Sequence, residues 1–262
     1  MAQNLEEIIS QLNAGNLNYA LMKIKELIAM NPSREAYELL GRILLELGRD
    51  DEAIDAFLSA GKLVEAAKIM VNRGRYAEAL RVLGDNSNPE AKLMRAMAFL
   101  KLERYKDALK ELEGLPEKYA STPLYYKVKG ITEYFLGMYY DAIKDLSKAI
   151  YLYGFDADLF YYRALSHMAL GNDKEAEEDF DTAINLNPYY AEAYFGKGII
   201  SEKSNKLEEA VKLYTKSLAI NPKMKQAYIR RAKTYFKLGR EENAMKDVES
   251  AMKLDHSKED SS

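Results

Sequence analysis

The side chains best suited to chemistry in this chain are two histidines and one glycine–lysine–glycine segment. His167 and His256 are far apart in sequence, and neither belongs to a spacing such as His-Glu-x-x-His that would pair two metal ligands on a helix. Gly196, Lys197 and Gly198 fall inside a predicted helix, where glycines indicate close packing rather than a phosphate loop. The sequence therefore predicts no catalytic residue, no metal ligand and no cofactor, and a protein that is not an enzyme.

Composition narrows the class of protein further. The 262 residues carry a net charge of −3, which argues against a general binder of polyanions. Cysteine is absent, so neither disulfide nor thiolate chemistry is available. No apolar run reaches the ~18 residues of a membrane-spanning helix, and residues 1–10 do not resemble a signal peptide. We therefore expect a cytoplasmic protein that does not contact a membrane.

One alanine column runs through the whole chain. Its members are Ala20, Ala53, Ala79, Ala108, Ala142, Ala176, Ala210 and Ala244. An apolar residue follows each alanine four positions later, and a glycine usually precedes it by five. The last four intervals are each 34 residues, and a fixed period of this length indicates an array of stacked repeats.

Each repeat is predicted to contain two helices. In the repeat from Pro123 to Asp156, apolar residues recur at helical spacing from Leu124 to Leu136 and again from Tyr139 to Leu152. Gly137 separates them and suits the left-handed backbone that ends a helix. No strand pattern is visible. The predicted repeats span 1–33, 34–59, 60–88, 89–122, 123–156, 157–190, 191–224 and 225–258, followed by a polar tail at 259–262.

A small residue occupies the eighth position of nearly every repeat. The seven are Gly41, Ala67, Ala96, Gly130, Ala164, Gly198 and Ala232. A glycine inside a helix costs roughly 1 kcal/mol relative to alanine, so its recurrence implies that two helix backbones approach closely there.

These columns, together with closing prolines at Pro32, Pro188 and Pro222, resemble the tetratricopeptide repeat. The segments 170–176 and 238–244 are similar to the turn between the two helices of that repeat. The resemblance implies an all-α fold: one right-handed superhelical solenoid of about eight helix-turn-helix repeats over residues 1–258. It also implies that the first helices line a concave groove used for protein–protein interaction.

Some repeats depart from the pattern. Repeats 34–59 and 60–88 are short, so their second helices should be truncated. Ile8 replaces the small residue of the first repeat, and Glu103 replaces the turn glycine of the fourth. Pro116 is expected to cut the second helix of the fourth repeat.

Side chains three before, one after, four after and five after the small residue are expected to face the groove. With Arg230, these positions give the candidate peptide-binding residues Lys127, Ile131, Tyr134, Tyr161, Leu165, Met168, Phe195, Ile199, Ile229, Arg230, Lys233, Phe236 and Lys237. An exposed surface so rich in apolar and aromatic side chains indicates a partner site. The alternative is that a tight superhelix packs these residues against one another.

A basic stripe distinguishes the last repeat. No acidic residue occurs from Lys223 to Arg240, and Arg230, Lys233 and Lys237 share one helix face. The stripe is either a solvated surface or a site for an acidic side chain or terminal carboxylate. Some members of the family grip the carboxylate tails of chaperones with a Lys, Asn, Asn, Lys, Arg set. Lys127 matches its first lysine, but Ile131 and Tyr162 stand where the asparagines belong, which disfavours that ligand.

The leading functional prediction is a non-catalytic scaffold that binds a peptide segment of a protein partner in the groove. A second is a structural spine that self-associates into a homo-oligomer through its exposed ends. Single-stranded RNA binding is the least favoured, because the net charge is negative and the period is 34.

Overall fold

A computed structural model of the chain describes the backbone of residues 2–259 and the side chains of residues 4–254. The side chain of His256 and all but the first residue of the predicted tail lie outside these ranges. Every regular element among the described residues is helical, which confirms the predicted all-α fold. The chain divides into two compact parts, Met1–Ala120 and Ser121–Ser262, which we call the N-terminal half and the C-terminal half. A single solenoid across residues 1–258 stays a prediction.

The N-terminal half contains four helical hairpins and one extra turn of helix. Its helices are α1 Ala2–Asn13, α2 Leu17–Met30, α3 Arg34–Glu46, α4 Asp50–Ser59, α5 Leu63–Asn72, α6 Tyr76–Leu83, α7 Pro89–Lys101, α8 Tyr105–Leu112 and α9 Glu117–Ala120. The second helices α4 and α6 have 10 and 8 residues against 14 in α2, as their short repeats predict.

The prediction that Pro116 cuts the second helix of the fourth repeat, α8, is wrong. This helix already ends at Leu112, and Gly114 follows with a φ of +67°. Pro116 instead directly precedes the short helix α9, and its carbonyl accepts the amide hydrogens of Tyr119 and Ala120 in that helix.

The C-terminal half is the more regular of the two. Its helices are α10 Pro123–Phe135, α11 Tyr139–Leu152, α12 Ala157–Ala169, α13 Asp173–Leu186, α14 Ala191–Lys203, α15 Leu207–Ile220, α16 Lys225–Lys237 and α17 Glu241–Glu259. The four first helices, α10, α12, α14 and α16, each have 13 residues. Each packs on its own second helix, and α12, α14 and α16 also pack on the helix before them, so the half is a stack of hairpins.

The turns between paired helices use left-handed backbone, as predicted. Gly137 has a φ of +76°, and the two residues that replace glycine adopt the same conformation, Glu103 at +59° and Asn205 at +58°. Asparagine visits this region readily, whereas a glutamate there costs roughly 1–2 kcal/mol. The glutamate at position 103 therefore strains the turn, but the backbone keeps the left-handed conformation of the other turns.

Close contact between paired helices explains the small residues. A β-carbon on Gly130 would lie 2.7 Å from Cγ of Leu146, and one on Gly198 would lie 2.6 Å from the ring of Tyr214. Both partners stand four residues after a fully buried alanine of the repeat column. The columns read from the sequence are therefore the contact line of each hairpin.

Candidate functional site

The candidate groove residues lie on α10, α12, α14 and α16, and we call the surface of these four helices the first-helix face. Ile131 is only 5% exposed, so it packs inside the half and offers little surface to a ligand. Lys127, Tyr134, Tyr161, Leu165, Met168, Phe195, Ile199, Ile229 and Arg230 are half-buried, whereas Lys233, Phe236 and Lys237 are exposed. The most accessible part of the face is therefore α16.

Aromatic rings dominate the start of the first-helix face. The ring centroid of Tyr134 lies 5.1 Å from that of Phe135 and 5.6 Å from that of Tyr162, and Phe135 also contacts Tyr162 at 5.7 Å. Edge and tilted contacts of this kind stabilise each pair by about 0.5–1.5 kcal/mol beyond burial. The rings of α10 and α12 are thus engaged with one another, although the edge of Phe135 remains exposed.

Tyr161 packs on the second helix of its own repeat and on the residue that precedes α14. Its ring centroid lies 4.8 Å from that of Tyr190 and 6.0 Å from that of Phe180. Burial raises the pKa of Tyr161. Leu165 and Met168 pack against the same buried cluster. Most of the side chain of Tyr161, Leu165 and Met168 is therefore engaged in packing, as the alternative to an open groove predicts.

Lys127 is held by an ionic network. Its Nζ lies 2.6 Å from Oδ2 of Asp156 and 2.9 Å from Oδ2 of Asp158, while the hydroxyl of Tyr190 donates to Oδ1 of Asp158 at 2.9 Å. Burial lowers the pKa of Lys127, but the bonds to both carboxylates outweigh it and the pKa is raised. Asp156 also caps the start of α12. Lys127 therefore ties α10 to α12.

The carboxylate of Glu202 on α14 accepts hydrogen bonds from two cations of the basic stripe and from one tyrosine. Its Oε2 accepts from the hydroxyl of Tyr214 at 3.0 Å and from Nη1 of Arg230 at 3.2 Å, and its Oε1 accepts from Nζ of Lys237 at 2.9 Å. Burial raises the pKa of Glu202, yet the bonds from Lys237, Tyr214 and Arg230 more than offset this and lower it. The carboxylate is therefore charged at neutral pH.

Lys233 is the unpaired member of the stripe. It is exposed and makes no ion pair with any residue between 4 and 254, and the exposed ring of Phe236 lies on the same helix. Arg231 points elsewhere, because it pairs with Asp247 of α17 at 2.7 Å. The predicted basic run therefore splits, and only Arg230, Lys233 and Lys237 form the cationic cluster of the first-helix face.

Sequence reasoning missed a repeated ion pair inside the hairpins. A basic residue one position before the small residue pairs with an acidic residue sixteen positions later. The pairs are Arg95–Glu111, Lys129–Asp145, Arg163–Asp179 and Arg231–Asp247. Both positions are columns in the repeat alignment, so the signal was present in the sequence. In the seventh repeat Leu213 takes the acidic position, and Lys197 turns instead to Asp181 at 2.5 Å.

No other chemistry stands out in the described part of the chain. His167 is half-buried, burial lowers its pKa, and its Nδ1 lies 3.4 Å from Nδ2 of Asn172. Between residues 4 and 254, no three His, Asp or Glu side chains come close enough to hold a metal ion. In the same range, no helix has the length and apolar character needed to cross a bilayer. The cytoplasmic location stays a prediction.

The hairpin stack, with its small-residue contact line and left-handed turns, defines a helical-repeat protein. Sequence profiles described as tetratricopeptide repeat match residues 5–67, 64–123, 157–190, 191–224 and 225–257. The chain belongs to the tetratricopeptide repeat family. Residues 124–156 fall outside the matched ranges, yet α10 and α11 form the same hairpin there, with Gly130 against Leu146. The comparison with curated proteins found no match.

Solved structures share this fold at low sequence identity. A crystal structure of MamA is 21% identical with a TM-score of 0.57, over 63% of this chain and 96% of that one. MamA 41-end from Desulfovibrio magneticus RS-1 is 17% identical with a TM-score of 0.58, over 66% and 97%. YrrB, described as a TPR protein with an unusual peptide-binding site, is 21% identical with a TM-score of 0.52, over 68% and 91%. Identities this low indicate a common fold alone.

Proposed function

We propose that this chain is a non-catalytic scaffold that binds a peptide segment of a protein partner on the first-helix face of its C-terminal half. The observation that carries the proposal is on α16, where Phe236 is 47% exposed beside the unpaired Lys233. Neither side chain is needed to close the hairpin, whose contacts run through Ala232 and the buried alanine Ala244. Peptide binding by YrrB, a protein of the same fold, also supports it.

The two kinds of side chain would divide the work of binding. Phe236 offers a ring that a partner side chain can cover, and Ile199 and Ile229, both half-buried, add apolar surface to the first-helix face. The neighbouring cations orient polar groups of the segment. Burial of a few such anchors gives micromolar affinity, about −8 kcal/mol. The proposal requires no catalytic residue.

Phe195 and Tyr161 have a supporting role in this proposal. The ring centroid of Phe195 lies 5.7 Å from that of Tyr214, whose hydroxyl holds Glu202. Tyr161 packs against Phe180 and Tyr190. Both rings therefore shape the surface from behind, and their removal is expected to weaken binding mainly through the fold.

Selection from a displayed library of random twelve-residue peptides tests the proposal on the full chain. We expect binders whose dissociation constant rises at least tenfold in Phe236→Ala. The matched control is Tyr140→Ala, which removes a still more exposed ring, 77% against 47% for Phe236, from the second helix α11. Circular dichroism should show folded protein in both cases. A library that yields no binder, or binders equally sensitive to both substitutions, would refute the proposal.

One observation favours self-association as a second candidate. Met245 and Met252 of α17 are 53% and 58% exposed. The equivalent residues one repeat earlier, Val211 and Leu218, are buried in α15, which packs on α16. Light scattering across a concentration series tests this, since a monomer at every concentration excludes it. A dimer that dissociates in Met245→Lys would support it.

A further inference from the structure

We infer that the cationic cluster of α16 selects an acidic segment, with a ligand carboxylate seated on Lys233 between Arg230 and Lys237. This inference rests on the proposed function and names the chemical class of its ligand. The three residues are separated by three and four positions, so their side chains emerge on one face of the helix. Arg230 and Lys237 share the carboxylate of Glu202, whereas Lys233 has no acidic partner among residues 4–254.

Charge is unbalanced at this place. The three cations of the cluster have one paired carboxylate, that of Glu202, between them, and no acidic residue occurs on the chain between Lys223 and Arg240. Lys203, which follows Glu202 in sequence, is already paired with Asp173 at 2.6 Å, so it does not join the cluster. An incoming carboxylate would therefore meet a surface with a surplus of positive charge, in a partly desolvated setting where charge-assisted hydrogen bonds are strong.

Glu202 demonstrates which ligand the cluster accommodates. It brings Arg230 and Lys237 onto one carboxylate, although the two cations are separated by almost two turns of α16. Each donates one hydrogen bond to it, whereas a guanidinium has five donor hydrogens and an ammonium has three. Both side chains also remain about half exposed. They can therefore serve a second carboxylate from the solvent side without releasing the first.

The neighbours of the cluster refine the ligand class. Phe236 lies between Lys233 and Lys237 in sequence and is exposed, and Ile229 is half-buried beside Arg230. A segment that alternates acidic with apolar or aromatic residues would satisfy both kinds of surface. A uniformly acidic polymer would leave the ring of Phe236 in water.

The acidic content of selected peptides tests the inference directly. The full chain, Lys233→Glu and the matched control Lys212→Glu are each used to select from the random twelve-residue library. Lys212 is an exposed lysine on the second helix α15, so the control makes the same change in net charge away from the cluster. We expect at least a threefold enrichment of Asp and Glu for the unmodified chain and for Lys212→Glu, and none for Lys233→Glu.

A gain of affinity provides an independent check. Glu202→Gln keeps an oxygen for Tyr214 but removes the internal negative charge, so a selected acidic peptide should bind about threefold more tightly. Replacing the acidic residues of that peptide by glutamine should weaken binding at least tenfold in the unmodified chain. Thermal unfolding followed by circular dichroism verifies that every variant is folded.

Failure of this inference is distinct from failure of the proposed function. Binders without acidic enrichment would overturn the inference and leave the scaffold proposal intact, whereas a library without binders would overturn both. Equal losses in Lys233→Glu and Lys212→Glu would show that net charge acts without the cluster, and would overturn it. Tighter binding of a twelve-nucleotide uridine RNA than of any peptide, abolished by Lys233→Glu, would assign the cluster to phosphate instead.

Discussion

Arg163 grips Asp179 with two hydrogen bonds, from Nε to Oδ2 at 2.8 Å and from Nη2 to Oδ1 at 2.7 Å. Its remaining terminal nitrogen, Nη1, donates to Oγ of Ser147 in the preceding repeat at 2.9 Å. One guanidinium therefore joins three helices, α11, α12 and α13. Arg231 forms the same bidentate pair with Asp247 two repeats later. The bidentate Arg–Asp ion pair is therefore a repeated polar contact within hairpins whose other contacts are apolar.

Removal of the acidic partner should be costly. In Asp179→Ala the guanidinium of Arg163 remains largely enclosed without its carboxylate, so we expect the free energy of unfolding to fall by about 2–4 kcal/mol. Urea denaturation of the full chain measures this. Glu242→Ala is the control, because Glu242 pairs with Lys246 on the open surface of α17. Glu242→Ala should leave the unfolding midpoint unchanged. Equal losses of unfolding free energy in the two variants would contradict a special role for the Arg163–Asp179 ion pair.

The small-residue column predicts a penalty for one added methyl group. A β-carbon on Gly41 would lie 2.9 Å from Cδ1 of Phe57. Overpacking of about 1–3 kcal/mol should exceed the roughly 1 kcal/mol that alanine gains in helix propensity, so Gly41→Ala should lower stability. The next repeat carries Ala67 and Leu83 at the positions of Gly41 and Phe57, which suggests a rescue by a smaller partner side chain. In a Phe57→Leu background, Gly41→Ala should cost less, and strictly additive losses measured by urea denaturation would refute the contact.

The fold could be predicted because the same pattern of small and apolar residues recurs through the eight predicted repeats. The alanine column marks the most buried line of each hairpin, and Ala142 and its equivalents are fully enclosed. The turn glycines adopt the backbone that only glycine takes without strain. A single glycine or alanine would have been ambiguous, but a column in register restricts each position to one environment.

The accessibility of the site could not be predicted in the same way. The position of a residue in its repeat predicts which face of the helix its side chain lies on. It does not predict which residues from other helices or turns cover that side chain. Lys127 meets Asp156 and Asp158, and Tyr161 meets Tyr190, all of them residues about thirty positions away. Asp156 and Tyr190 occupy the same position of successive repeats, but the residue type there changes, so the repeat pattern does not predict the contact. Contacts across the stack therefore decide which candidates remain available.

Tyr161 and Phe236 should respond differently to the same truncation. Tyr161 packs against Phe180 and Tyr190, so Tyr161→Ala is expected to lower the free energy of unfolding by about 2–4 kcal/mol. Phe236 is exposed, and Phe236→Ala should change it by no more than about 0.5 kcal/mol. Urea denaturation of both variants gives the comparison. If Phe236→Ala is the more damaging, its ring belongs to the core and not to a binding surface.

Glu133 should make the stability of the C-terminal half depend on pH. Its side chain is buried, with Oε1 3.2 Å from Nζ of Lys129 and Oε2 without a hydrogen-bond partner. Burial, aided by the charge of Asp145 and opposed by Lys129, raises its pKa from 4.5 to about 7. Because the folded carboxyl holds its proton more tightly than the unfolded one, this stabilisation is complete below pH 4.5 and lost as the pH rises through 7. Between pH 5 and pH 8 the protein should therefore lose about 1–3 kcal/mol relative to Glu133→Gln. Parallel pH profiles from urea denaturation of the two proteins would exclude this role for the carboxyl.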